Sequence, residues 1–347
     1  MPLADRIAAT MVAAVAALPA LAHDDDLHRI AAFFAEANVV SGPEIVDCTL
    51  SGGTQTSCFS ITVKPEPKAY TPGPWCPTSI TDGADKGGIW FLDGKVKDVD
   101  GAFITQLSEI YGDTNWQLFD PETGAVRYTG TLEACEAAAR PDVDPAYQNH
   151  CVQCLPEYMP KDASVTYVIP REPVLMEAPA PTNRAGSGLA YNGVRLDGPA
   201  PVDAILGAYT IAPFDDCGGH VNTHVGYHYH AVTNCLEDAP ATTTDLVKTD
   251  RQIGIAMDGF PIMAHRDDLV EQLDACNGLK IEGAGYRYYA GAPGSNAILG
   301  CHVAEVGCTF EGAGGTCDAS AMVRRGPPPD GAGAPPAGRP EGPPPGE

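Results

Sequence analysis

Residues Tyr227-His228-Tyr229-His230 alternate two side-chain types with a period of two. On a strand, successive side chains point to opposite faces, so both tyrosines share one face and both imidazoles the other. Two imidazoles at i and i+2 on one face lie close enough to bind the same ion. Just upstream, Cys217-Gly218-Gly219-His220 carries two glycines that let the backbone fold back and bring His220 towards that face. Four of the nine histidines fall within these eleven residues.

A His-x-His pair with a third His is a recurrent way to hold zinc or copper. The expected ligands are His220, His228 and His230, with His224 as a fourth candidate or an outer hydrogen-bonding residue. Three protein ligands leave a position open, and four make a closed, structural site. A shared ion at about 2 Å predicts ligand nitrogens roughly 3 to 4 Å apart. Copper or zinc is the expected metal, since imidazole suits both. Ligating histidines need carboxylates behind them, and Asp215, Asp216 and Asp258 are available. Asp216 and Asp258 are the candidates for a catalytic base or orienting group in a metal-dependent hydrolase or copper oxidoreductase. The competing reading is a non-catalytic structural or interaction module with a buried His/Tyr strand. Tyr227 and Tyr229 belong to the core in either case.

Twelve cysteines, an even number, follow an N-terminal stretch with the marks of a targeting segment. Arg6 supplies its positive charge, Ile7 to Leu18 its apolar run, and Ala20-Leu21-Ala22 a small-residue cleavage site. Export predicts up to six disulfides, and Cys48–Cys58 and Cys217–Cys235 are plausible bridges. Cys151 and Cys154 form a C-x-x-C spacing without a thioredoxin-like setting, so structural disulfides are expected there too. No N-x-Ser/Thr sequon occurs, which suits a bacterial periplasmic or secreted protein. The net charge of −24 argues against nucleic acid or an anionic membrane as partner. It suits a protein that attracts cations.

Local patterns predict a mainly β chain with minor α structure. Leu27 to Ala37 and Ala102 to Tyr111 have helical spacing, and Thr131 opens a short helix through Ala139. Glu44 to Leu50 and Cys58 to Val63 read as a hairpin, and Trp116 to Asp120 with Ala125 to Thr129 as a second. Further strands are expected at Val165 to Ile169, Gly188 to Leu196, Gln252 to Met257, Tyr286 to Ala290 and Ala297 to Val303. Pro170 to Pro181 reads as a connector. The organisation expected is a targeting segment (1–22), a disulfide-containing α+β region (23–160) and a compact disulfide-bonded β-rich domain (161–325). A Pro/Gly-rich tail (326–347) follows, without enough apolar surface to order itself.

The C-terminal half resembles the YHYH-domain family. The residues that carry the resemblance are Gly188 to Val194, Asp216-Cys217-Gly218-Gly219-His220, Gly226 to His230 and Ile253 to Ile262, with Tyr288-Tyr289 and Leu299-Gly300-Cys301 after them. It covers roughly residues 160 to 310. Met263-Ala264-His265 departs from it, standing where Tyr-Gly would be expected to continue the motif. The resemblance implies a secreted bacterial protein and invites a metal-binding reading of the histidines; it implies no settled activity. No G-x-S-x-G elbow, H-E-x-x-H helix, phosphate loop or dinucleotide fingerprint is present, so serine hydrolase, zincin and ATPase chemistry lack support.

Overall fold

Glycine-bearing turns decide where the apolar runs fold back on themselves. The computed structural model describes residues 20–140, 142–236, 239 and 250–324. Most of the targeting segment and the whole of the 326–347 tail lie outside these residues. Among the described residues, no helix is long and apolar enough to cross a membrane.

The first hairpin joins Val39–Thr49 to Gln55–Val63 around a turn in which Leu50 N–H donates to Thr54 O at 2.8 Å. Cys48 and Cys58 bridge its strands. The Glu305 carboxylate caps the turn, accepting from Gly52 N–H (3.0 Å), Thr54 N–H (3.3 Å) and Thr54 Oγ1 (2.8 Å). Five strands make this sheet, in the order Cys308–Glu311, Val165–Pro170, Gln55–Val63, Val39–Thr49, Cys317–Asp318. Strands from both sides of residue 160 therefore share it. Phe59, Ile61 and Val63 alternate onto one face with Val165, Tyr167 and Ile169, packing against Phe34, Leu189 and Met257. Cys58, Val168 and Cys308 line the other.

The second sheet has eight strands, in the order Gly278–Ile281, Gly285–Tyr289, Pro261–Met263, Gln252–Ala256, Gly188–Ala190, Arg195–Leu196, Gly226–Tyr229, Gly219–Asn222. Here the single strand expected over Gly188 to Leu196 is two. Asn192-Gly193 turns the chain, with Gly193 at φ +80° and Gly193 N–H donating to Ala190 O at 2.8 Å. Asn-Gly favours such a reversal because its backbone tolerates positive φ. Arg195–Leu196 then runs parallel to His228–Tyr229, with Arg195 beside His228.

Other expectations shift for similar reasons. The Pro170 to Pro181 connector contains the strand Leu175–Ala180, which pairs with His302–Ala304. That pairing replaces the longer strand expected from Ala297, because Pro293 and the left-handed Asn296 bend the preceding residues. The second hairpin is reduced to isolated bridges such as Phe119 with Val126. Helices at Gly101–Ile110 and Leu132–Ala138 start on the Asp100 and Thr131 side chains, which accept from Phe103 and Ala134 N–H.

All twelve cysteines are paired: Cys48–Cys58, Cys76–Cys151, Cys135–Cys154, Cys217–Cys235, Cys276–Cys301 and Cys308–Cys317. Cys76–Cys151 closes 75 residues, a loop whose closure entropy is worth about 4 kcal/mol. Thermal unfolding of the Cys76→Ser/Cys151→Ser variant should register a loss of that order. An unchanged melting temperature would show that packing alone holds this segment.

Candidate metal centre

The site is built on a short hairpin whose entry is held by one carboxylate. Asp215 N–H donates to Gly219 O at 2.7 Å and Gly218 N–H to Asp215 O at 2.8 Å, closing a turn over Cys217-Gly218. Asp215 Oδ1 accepts from Cys217 N–H and Gly219 N–H, both at 3.1 Å. The turn requires both glycines. Gly218 has φ +82°, and a Cβ there would meet Ala231 O at 2.5 Å; one on Gly219 would meet the Tyr227 ring at 2.5 Å. Strand Gly219–Asn222 then pairs antiparallel with Gly226–Tyr229, placing His220 opposite His228. His230 is two residues beyond His228, directly after the end of the second strand.

The three rings form a near-equilateral triangle. Centroids lie 4.7 Å apart for His220 and His228, 5.0 Å for His220 and His230, and 4.8 Å for His228 and His230. One ligand nitrogen from each lies within 4.8 Å of the other two. That bound includes the roughly 3 to 4 Å separations that a shared ion at about 2 Å requires. His228 Nδ1 sits 2.9 Å from Gly226 O and His230 Nδ1 2.6 Å from Gly198 O. A carbonyl oxygen only accepts, so both Nδ1 atoms carry the proton and both Nε2 atoms keep a lone pair. The Phe214 ring lies tilted against those of His220 and His230, with centroids 4.9 and 5.4 Å away. Burial pushes all three imidazoles below the ordinary histidine range, His230 to about 3 and His220 well down, and their mutual repulsion adds to this for His220 and His230. They are neutral at pH 7, the form in which imidazole ligates a metal.

The tyrosines behind are fully satisfied. Tyr227 OH donates to Asp215 at 2.8 Å, Tyr70 OH donates to Tyr227 OH at 3.2 Å, and Tyr70 and Tyr229 hydroxyls lie 2.5 Å apart. Each hydroxyl has one proton and the carboxylate only accepts, so the chain runs one way, Tyr229 to Tyr70 to Tyr227 to Asp215. Asn192 Nδ2 donates to Tyr229 OH at 2.9 Å and Trp75 Nε1 to Gly219 O at 3.0 Å. Burial raises Asp215 to about 6 against the backbone N–H groups and Tyr227 hydroxyl that favour its charge.

Residues 166–319, which hold this strand and its partners, match the family model described as YHYH protein. The chain carries a YHYH domain. No curated protein and no solved structure matches the chain.

Within the YHYH domain, His224, Asp216 and Asp258 lie outside the three-imidazole group. His224 is exposed in the turn between the paired strands, outside the three-imidazole group. Asp216 is exposed, and its main-chain oxygen accepts from Thr233 Oγ1 at 2.7 Å. Asp258 is fully buried; it accepts from Tyr288 OH at 2.6 Å and from Ala304 and Phe260 N–H at 3.2 and 3.4 Å, anchoring the turn at Gly259. Cys217 is oxidised with Cys235 and offers no thiolate. His302 Nε2 bonds Ser187 O at 3.1 Å, and His265 bonds Ala290 O and Asp267.

The imidazoles line a cleft of about 2060 Å³ that is walled also by Ala138 to Arg140 and Val152 to Cys154 from outside the matched residues. Among the described residues, two carboxylates line it, Asp197 and Glu311. Asp197 follows Arg195-Leu196 directly, in a sequence neighbourhood that holds no histidine to mark it. The Asn-Gly turn upstream was the available signal.

Proposed function

We propose that the YHYH domain binds one transition-metal ion through Nε2 of His228 and His230 and a ring nitrogen of His220, with a further coordination position open to the cleft. The carrying observation is the difference between the two faces of one strand. Every hydroxyl on the tyrosine face is engaged, as a packed core requires. On the other face, no described residue bonds Nε2 of His228 or His230, or either ring nitrogen of His220. These nitrogens open on the cleft with their lone pairs free of protein donors. Three neutral nitrogen donors suit zinc or copper, and the absence of a fourth ligand from the group resembles sites that take a substrate. Bound there, zinc would supply a Lewis acid and copper a redox centre. The chain's own residues hold the ion, fix ring tautomers through Gly226 and Gly198 carbonyls, and wall the site with Phe214. A metal-dependent hydrolase or a copper oxidoreductase fits this arrangement, and six disulfides support its working in an oxidising compartment.

Protein purified without a His tag should carry about one equivalent of zinc or copper by elemental analysis. Chelator-stripped protein should rebind one equivalent. Absence of stoichiometric binding for both metals would remove the proposal and leave the structural module.

A further inference from the structure

We infer that Asp197, by neutralising Arg195 and fixing the Gly198 carbonyl, sets how tightly this centre holds a divalent cation, an inference that rests on the metal reading above. Three neutral imidazoles bring no charge to offset an ion of charge +2, so an uncompensated cation beside them would oppose its binding. Of the two carboxylates on the cleft, Glu311 is exposed on its own strand. Asp197 is attached to the imidazoles through the backbone. His230 Nδ1 donates to Gly198 O at 2.6 Å, and Gly198 N–H donates to Asp197 Oδ1 at 2.9 Å. Asp197 N–H donates in turn to Tyr229 O at 2.9 Å, tying it to the histidine strand.

The carboxylate is built in. Its side chain is 21% exposed, and its Oδ1 also accepts from Arg195 Nη2 at 3.1 Å. Arg195 is itself buried, opposite His228 in the parallel register, and spends the same Nη2 on Arg184 O at 2.8 Å. Without Asp197, a guanidinium charge would stand uncompensated beside His228, where it opposes a second cation. Asp197 therefore acts twice, cancelling Arg195 and fixing the carbonyl that orients His230. Its hydrogen bonds from Arg195 and Gly198 both fall on Oδ1, and the residue lines the cleft. Asp197 is a positioning residue here, since no contact with an imidazole is present.

The test is competition against a chromophoric chelator with Zn²⁺ and, separately, Cu²⁺, on the full chain. Asp197→Asn keeps an Oδ1 acceptor for Gly198 and Arg195 while removing the charge. It should weaken binding roughly 10- to 100-fold, the range for groups that support ligands from behind, with stoichiometry still one at saturating metal. Asp197→Glu should recover most of the affinity, and Glu311→Gln should leave it unchanged. Equal affinity of Asp197→Asn and parent would overturn the inference while leaving the His centre standing. Equal weakening by Glu311→Gln would overturn it as well, by showing that any cleft charge suffices. Failure of the parent to bind either metal would overturn both readings. A variant that loses stoichiometry together with its near-ultraviolet circular dichroism has lost its fold, and Asp197→Glu against Glu311→Gln then decides the matter.

Discussion

Replacing His228 and His230 together by alanine is expected to abolish stoichiometric metal binding while leaving a folded protein. The two imidazoles supply two of three nitrogen donors within 4.8 Å of one another. Apparent binding energies of structural zinc sites run to about 10–16 kcal/mol. Losing two donors should therefore cost on the order of 5 kcal/mol, about four powers of ten in affinity. The fold should tolerate the change because the strand is anchored by its other face. Tyr227 and Tyr229 keep Asp215, Tyr70 and Asn192 as partners. The imidazoles, by contrast, face the cleft. Elemental analysis of tag-free protein checks this directly. Metal content equal to that of the parent would sink the His centre, whereas lost metal with an intact near-ultraviolet spectrum would support it.

Acid should destabilise the metal-free protein below about pH 6.5, the ordinary histidine pKa. All three imidazoles have folded-state pKa values below the unfolded value. As pH falls, the unfolded chain takes up protons that the folded chain refuses, so stability declines until the folded rings also titrate. For His230, held down to about 3, the decline amounts to several kcal/mol in order of magnitude. Asp215 works in the opposite direction. Its folded pKa of about 6 exceeds the 3.8 of an exposed carboxyl, so between those values it stabilises the fold as pH falls, by about 3 kcal/mol. Asp258, raised by the same burial, works in the same direction as Asp215; the three buried imidazoles oppose both, and a net loss is expected. Bound metal should steepen it, because ligation requires the unprotonated ring. Urea midpoints between pH 7 and pH 4 measure the effect, and the His228→Ala/His230→Ala variant should show a shallower fall. A parent curve that is flat across this interval would contradict the picture.

Local pattern carried much of this molecule. The glycine turn between Cys48 and Cys58 predicts both the hairpin and its bridge, and both are present. Alternation in Tyr227 to His230 predicts which rings share a face, and the rings divide accordingly. These features were legible because strand periodicity and turn chemistry act over a few residues. Pairings across long separations were not. Nothing near Leu175–Ala180 announces its partner at His302–Ala304, and nothing near Cys76 or Cys135 selects Cys151 or Cys154. An isolated bridge such as Phe119 with Val126 marks where favourable local pattern found no neighbour to extend it.

The carboxylates show the same divide. Asp216 and Asp258 stand out in the sequence because they lie near histidines or within a motif, but proximity along a chain says little about proximity across a sheet. Asp258 anchors its own turn through Tyr288 and Ala304. Asp197 lines the same cleft because Asn192-Gly193 reverses the strand and sends Arg195-Leu196 alongside His228-Tyr229. By itself, the sequence determined a disulfide-bonded, β-rich chain with one strand presenting imidazoles on one side and phenols on the other. Only the tertiary structure decided that His220 stands opposite His228, that Asp197 and Arg195 flank them, and that segments near Cys135 and Cys151 wall the cleft. Side-chain direction follows from backbone period, a local property, whereas register between strands is set by packing that involves the whole chain.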